Sequence, residues 1–391
     1  MFRSILDNDL YKFTMQQAVC RLYPDARAEY RLTNRGGTPF PGDMAAMVEK
    51  EIQNMAGLAL TPGEKDWLGE KCPYLSDDYL AFLSSYRYDP GEVSVVQENG
   101  RLDLSVKGAW CRTILWEVPL MAIISETYFA MTRPRTLSRE EVREKNQAKA
   151  MRLSGHRIGF TDFGTRRRFS AANHEHLIRD ILESDAPSLT GTSNAYLARK
   201  FDIPPIGTLA HEWIMFHATL CGYRNANAMA MDAWLKVYPQ DLGIALTDTY
   251  TTDAFLKVFS RERAERFDGV RQDSGDPIAF IQKLVDHYRA LGIDPLSKTI
   301  VFSDGLDIDR AAAIHKACNG TINDAYGIGT YMTNDLGPTP LNIVIKLSRC
   351  KPGPDADWQP TVKLSDDRKK HTGNKEELHR CLNELQLTPG R

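Results

Sequence analysis

The sequence predicts an α/β protein in which a barrel of parallel strand–helix units carries the chemistry and an α+β cap is built from both chain ends. Three observations lead there. From about residue 155, short apolar runs recur at 157–160, 243–248, 267–273, 299–304 and 321–327, each ending in acidic, polar or glycine residues. Helical segments separate them, and spacings of about 25–30 residues fit parallel βα units. The part of the chain before residue 135 lacks this rhythm and mixes helices with a hairpin. After Pro340 come two further strands and a helix outside the repeat, which are expected to pack back onto the N-terminal region. The expected organisation is a cap over residues 1–135, a catalytic barrel over 136–340, and residues 341–391 returning to the cap.

Taken in order, Asp7, Asn8 and Asp9 offer N-cap oxygens to a helix from about Leu10 to Leu22, which Tyr23-Pro24 stops. Residues 27–34 alternate like a half-buried strand, ended by Arg35-Gly36-Gly37. Residues 43–85 read as polar-faced helices broken at Thr61-Pro62-Gly63 and Cys72-Pro73. Val93–Val96 and Leu102–Val106 flank Asn99-Gly100, a hairpin signal. Trp116–Phe129 is an apolar helix, and Ser138 with Glu141 forms a capping box for a charged helix to about Leu153. The strand at Ile158–Phe160 leads through a polar turn into a helix that sets Leu177, Ile178, Ile181 and Leu182 on one face. Helices Pro277–Gly292 and Asp309–Asn319 bridge later strands. Leu341–Ser348 and Thr361–Ser365 read as strands, and Lys375–Leu385 as a terminal helix.

Bulk properties exclude some classes. Apolar content of 42% and charged content of 26% are those of an ordinary globular chain. A formal net charge of −2 argues against a surface-wide nucleic-acid footprint, while leaving room for local anion sites. The seven cysteines are scattered, with no Cys-x-x-Cys pair, so neither a disulfide framework nor a zinc knuckle is indicated. No signal-type h-region opens the chain and no uninterrupted apolar run suffices to span a bilayer, so a cytoplasmic protein without membrane or nucleic-acid partners is expected.

Candidate chemistry sits at the ends of the expected strands. Asp162-Phe163-Gly164-Thr165-Arg166-Arg167-Arg168-Phe169 places an acid, an aromatic, a glycine turn and three guanidinium groups between a strand and a helix. Its plain alternative is a βα connection with a solvated basic run. Arg271-Gln272-Asp273-Ser274-Gly275-Asp276-Pro277 carries carboxylates suited to a ribose diol or, through water, to Mg²⁺, or else is simply a well-capped turn. Asp304-Gly305-Leu306-Asp307 repeats that pattern more weakly. Gly327-Ile328-Gly329-Thr330 could bring backbone N–H groups to a phosphate before a helix N-terminus. Thr192, Ser193 and Asn194 are either ligand donors or an N-cap cluster. His211 is the histidine favoured for chemistry, with Glu212 as a candidate to restrain it. His217 is six residues on and faces elsewhere, so that pair is a poor metal site, and His174 and His176 read as solvated helix residues.

Together these stretches resemble the nicotinate phosphoribosyltransferase family. The ordered series runs from Asp9-Leu10-Tyr11-Lys12 through Asp162–Ser170, Gly191–Asn194, Gly207–Glu212, Arg271–Pro277, Phe302–Asp304 and Gly327–Thr330 to Leu341–Leu347. The resemblance implies an irregular α/β barrel of the type II phosphoribosyltransferases. The implied reaction takes nicotinate, phosphoribosyl pyrophosphate and ATP to nicotinate mononucleotide, pyrophosphate, ADP and phosphate, through a phosphohistidine at His211, with Mg²⁺ as cofactor. Phe163 would stack on the pyridine ring, with Tyr11 supplied from a partner subunit, so a homodimer with a shared site is implied. Arg271 would grip the nicotinate carboxylate, and Arg166 and its neighbours phosphate or pyrophosphate. Gly327, Gly329 and Thr330 would cradle the 5′-phosphate, with Asp273 and Asp304 near the ribose and Mg²⁺. A nicotinamide- or quinolinate-using relative, and a non-catalytic nucleotide-binding barrel, are the competing expectations.

Overall fold

The computed structural model describes residues 1–186 and 188–387. Near the N-terminus, β1 (Arg27–Asn34), β2 (Val93–Glu98) and β3 (Arg101–Ala109) alternate with helices. Six short strands follow: β4 (Phe160–Asp162), β5 (Leu189–Thr192), β6 (Ile244–Leu246), β7 (Gly269–Gln272), β8 (Thr299–Phe302) and β9 (Asn323–Ile328). The last two are β10 (Ile343–Lys351) and β11 (Gln359–Pro360).

The cap sheet runs β11-β10-β1-β3-β2, with all its pairs antiparallel. β1 therefore lies between strands from opposite ends of the chain, with Arg31 opposite Ser105 on one side and Lys346 on the other. Asn99 and Gly100 both take positive φ, 48° and 74°, as a tight two-residue hairpin turn requires. The second sheet runs β5-β4-β9-β8-β7-β6, all parallel. Its edge strands β5 and β6 do not pair with each other, which makes the α/β barrel irregular.

Most expected elements form within a residue or two of their sequence signals, including helix Leu10–Leu22, β1, and the capping box of helix Arg139–Gly155. Four details differ. Helix Leu10–Leu22 has no side-chain N-cap, because Asp7, Asn8 and Asp9 are drawn into tertiary hydrogen bonds instead. The strand expected at Ile158–Phe160 begins at Phe160, since Arg157 takes φ 59° and turns the chain first. β5 forms just before the donor or N-cap cluster of Thr192–Asn194, where no strand was expected because a Thr-Gly-Thr run carries little strand signal. Thr361–Ser365 is not a sheet strand. After Thr361 N–H donates to Ser348, the segment leaves the cap, and Leu364 N–H donates to Thr249 of the barrel.

Helix Glu117–Thr132 is the seam of the molecule and is apolar nearly all round. The stretch Trp110–Thr132 is long and apolar enough to cross a membrane by length and composition, yet 83% of its window is buried inside the protein, as in a core helix. Lys12 fixes the seam to the barrel: its ammonium, wholly buried, lies 2.6 Å from Glu117 and 2.6 Å from Glu212. The lysine and the helix's neighbouring cations hold Glu117 down at about 2 against the opposing effect of burial.

Candidate active site

The C-terminal ends of the barrel strands surround a cavity of about 310 Å³. Tyr11, Phe163, Arg166, Arg167, His211, Arg271, Asp273, Gly305, Gly329 and Thr330 are among the residues that line it. Side chains more than two hundred positions apart in sequence thus share one wall.

The turn after β4 is built by Asp162. Its buried carboxylate accepts hydrogen bonds from Gly164 N–H at 2.9 Å and from the Thr192 hydroxyl at 2.6 Å, and pairs with His174 at 2.6 Å. Burial alone would raise this carboxyl, but His174, Thr192 and Gly164 together hold it below its ordinary range. His174 is therefore not the solvated helix residue the sequence suggested; it is fully buried as the partner of Asp162. Leu182, expected on the buried face of the same helix, is exposed. With the turn fixed, the Phe163 ring lies over Gly327. A Cβ at position 327 would sit 2.3 Å from two ring carbons, and one at Gly329 would sit 2.9 Å from the Phe163 carbonyl oxygen. These glycines line the cavity because the aromatic residue leaves no room for side chains beneath it. Gly327 and Ile328 belong to β9 itself, and the helix that follows, Thr330–Thr333, is a single turn rather than the expected anion-binding helix.

The three arginines divide. Arg168 is buried and structural, with a two-pronged pair to Asp7 at 2.7 and 2.9 Å and a bond to Glu126 at 2.8 Å. Arg166 and Arg167 face the cavity. Burial, with the positive charges of Arg166 and Arg35, pushes Arg167 down to about 10. Lys346 of β10 joins this group from the cap, pushed down to about 8 by burial and by the Arg166 and Lys363 charges against the pull of Glu117. A lone lysine inside the apolar run Ile343–Leu347 was the sequence signal for it.

The β5 residues divide as well. Ser193 reaches the cavity and donates to Asp9 at 2.8 Å. Thr192 serves Asp162, while Asn194 donates to Asp7 at 2.7 Å and caps helix Ala195–Phe201, so neither lines the cavity. Asp304 likewise stands outside the lining, paired with Lys370, whereas Gly305 lines the wall.

Tyr11 stands in its own chain's cavity. Leu10 N–H donates to Ser193 at 2.7 Å, and the Tyr11 backbone packs so closely on Gly207 that a Cβ there would lie 2.8 Å away. The expectation that this tyrosine enters from a partner subunit is therefore corrected, because the N-terminal helix lies against its own barrel.

His211 opens helix His211–Cys221. Its Nδ1 is 3.0 Å from the Thr249 hydroxyl and its Nε2 is 3.0 Å from the Asp273 carboxylate. Burial, with Lys363 adding to it, pushes the imidazole down to about 4, so the ring is neutral at neutral pH. Asp273, not the adjacent Glu212, orients it, since Glu212 turns away to Lys12. The other Asp273 oxygen accepts from Ser303 at 2.8 Å. Asp276 only caps helix Pro277–Ala290. Lys363 and Asp248 complete the cluster, the ammonium lying 3.9 Å from Asp248 and 4.0 Å from Asp273. Lys363 was missed, because it is brought in by the segment that leaves the cap sheet.

Arg271 donates through one end of its fork to Thr208 at 2.6 Å and to the Leu209 carbonyl at 3.1 Å. Its Nε is buried without a hydrogen-bond partner. Such an orphaned donor beside a cavity is what a ligand acceptor satisfies. His211, Asp248 and Asp273 also present ligand atoms within 4.8 Å of one another, and one Asp248 oxygen has no partner. Two carboxylates fit Mg²⁺ that keeps most of its water and takes other oxygens from substrate phosphates.

Comparison with known proteins agrees with this geometry. The model of the nicotinate phosphoribosyltransferase (NAPRTase) family matches residues 158–388, and that of its N-terminal domain matches residues 6–125. The chain is 58% identical over 386 residues to the nicotinate phosphoribosyltransferase of Desulforapulum autotrophicum, covering 99% of both. It is 43% identical over 388 residues to that of Chromohalobacter salexigens, again covering 99% of both. Its fold superposes on the crystal structure of nicotinate phosphoribosyltransferase from Porphyromonas gingivalis with a TM-score of 0.96 at 44% identity, over 99% of this chain and 100% of that one. With near-complete coverage from sequence and fold alike, the chain belongs to the nicotinate phosphoribosyltransferase family.

Proposed function

We propose that this protein joins nicotinate to the ribose of phosphoribosyl pyrophosphate, releasing pyrophosphate, and that ATP drives the step through phosphorylation of His211. The observation that carries the reading is the convergence in one cavity of an aromatic plate, an arginine with a free buried donor, a cation cluster and a neutral histidine.

The pyridine ring lies between Phe163 and Tyr11. Its carboxylate takes the unpartnered Nε of Arg271, a planar fork on a planar anion, which favours nicotinate over the uncharged amide. Arg166, Arg167 and Lys346 hold the phosphate and pyrophosphate oxygens, and backbone N–H groups around Gly329 and Thr330 meet the 5′-phosphate. Positive charge grows on the sugar as its bond to pyrophosphate loosens, and the ring nitrogen attacks in line. Catalysis is then placement plus neutralisation of the leaving group. Asp273 and Asp248 would hold Mg²⁺, which would supply part of that neutralisation.

The ionised Asp273 accepts the Nε2–H of His211, which leaves the Nδ1 lone pair, beside the Thr249 hydroxyl, as nucleophile toward the γ-phosphorus of ATP. Asp273 then stabilises the charge that develops on the ring. Purified protein with nicotinate, phosphoribosyl pyrophosphate and Mg²⁺, with and without ATP, tests the reading by mononucleotide formation. His211→Asn is expected to keep weak ATP-independent synthesis and lose all ATP stimulation; stimulation that survives the substitution rejects the phosphohistidine.

A further inference from the structure

Beside the catalytic cavity, on the polar face of the cap sheet, lies a second and larger hollow of about 550 Å³. The two meet at Lys346, which lines both. Arg31 and Lys346 stand opposite each other on β1 and β10, and Arg349 completes a row of three cations. Glu29 bridges Arg31 at 3.0 Å and Arg349 at 2.6 Å, and Lys346 lies 3.7 Å from Glu117, which it shares with Lys12 and Arg166. With Glu29 shared by two arginines and Glu117 shared by three cations, the row keeps an excess of positive charge in a concave surface, the condition for attracting a polyanion. Trp358 forms an apolar wall, with the Arg349 guanidinium 5.3 Å from its ring centre and Lys107 5.2 Å away. The Thr372 hydroxyl on the rim is buried without a hydrogen-bond partner. Cations in a row beside an aromatic wall suit a polyphosphate attached to a flat base.

The catalytic cavity has little space to spare. Its 310 Å³ is at the small end for a pocket holding one drug-sized ligand, yet it already has nicotinate and a phosphorylated sugar to accommodate. A phosphoryl donor for His211 therefore has to keep most of its bulk elsewhere. We propose that this groove holds the nucleoside and inner phosphates of ATP, so that the terminal phosphate passes Lys346 to reach His211. The proposal rests on the reading of ATP as phosphoryl donor and adds where the donor sits. It also explains why cations line the cap sheet outside the cavity, where neither nicotinate nor the sugar reaches.

The test uses the full-length protein. Arg31 is 55% exposed, so Arg31→Glu leaves the core intact while reversing one charge of the row. The KM for ATP in Arg31→Glu and in Arg349→Gln is expected to rise about tenfold or more, from loss of charge-assisted contacts. KM values for nicotinate and phosphoribosyl pyrophosphate, measured without ATP, are expected to stay within about twofold, because Arg31 and Arg349 stand outside the catalytic cavity. In the unsubstituted protein, 8-azido-ATP is expected to label the peptide containing Trp358, and excess ATP is expected to suppress that labelling far better than tripolyphosphate does. Equal suppression by tripolyphosphate means a site for phosphate alone and overturns the nucleotide assignment. An unchanged KM for ATP in both variants, or label confined to the catalytic cavity, overturns the groove as the ATP site while leaving the transferase reading standing. If the unsubstituted protein makes mononucleotide but neither binds nor responds to ATP, the donor reading fails and the groove proposal falls with it.

Discussion

Replacing Gly327 by alanine tests the geometry of the ring site with a single methyl group. The added Cβ would lie 2.3 Å from two carbons of Phe163, whereas ordinary contacts begin at 3.4 Å, so the ring has to shift by 3.4 − 2.3, about 1.1 Å. β9 is hydrogen-bonded on both sides, to β4 and β8, and has little freedom to yield. The displacement therefore falls on Phe163. A misplacement of about 1 Å in a positioning group costs on the order of 10²-fold in rate. Overpacking of this kind also costs about 1–3 kcal/mol of stability, so thermal unfolding is followed alongside. Initial rates of mononucleotide formation at varied nicotinate are expected to show kcat/KM down about 100-fold with the protein still folded. A variant that folds and matches the unsubstituted enzyme in both KM for nicotinate and kcat would refute the placement of Phe163 against the substrate ring.

Other outcomes follow from the charges. Lys12→Met leaves Glu212 buried without its cation and Glu117 with only the more distant Arg166 and Lys346, and urea unfolding is expected to show a loss of about 3–5 kcal/mol; a loss under 1 kcal/mol would mean the two carboxylates do not depend on the lysine. Since His211 is held down to about 4, it stays neutral and nucleophilic as pH falls through the ordinary histidine range, and ATP hydrolysis should decline only near pH 4–5; half-loss near pH 6.5 would contradict its burial. Lys346, held down to about 8, loses its positive charge as pH rises through that value, so the KM for phosphoribosyl pyrophosphate should climb above pH 8 in the natural protein and not in Lys346→Met. Lys363→Met removes the ammonium beside Asp248 and Asp273, and ATP-coupled turnover is expected to fall about tenfold or more, with Lys363→Arg restoring part of it.

What the sequence determined by itself is local in origin. The strand–helix rhythm, the Asn99-Gly100 turn and the capping box at Ser138 follow from periodicity and backbone preference, which neighbours along the chain express directly. The residues of the catalytic wall were also legible where they end a strand, as with Phe163, Arg271, Asp273 and Gly329, because parallel strands deliver their C-terminal ends to one rim. Partnership was not legible. Three consecutive arginines carry the same chemistry, and only the buried carboxylates of Asp7 and Glu126 make Arg168 structural while Arg166 and Arg167 stay in the cavity. His174 looked solvated until Asp162 closed on it, and Tyr11 looked like a loan to another subunit until its helix packed on Gly207. Lys346 and Lys363 enter from the last fifty residues, across contacts no local pattern encodes. Charge pairing and desolvation depend on distance in space, so the tertiary structure alone decided which ionisable groups hold the fold together and which are left to meet a substrate.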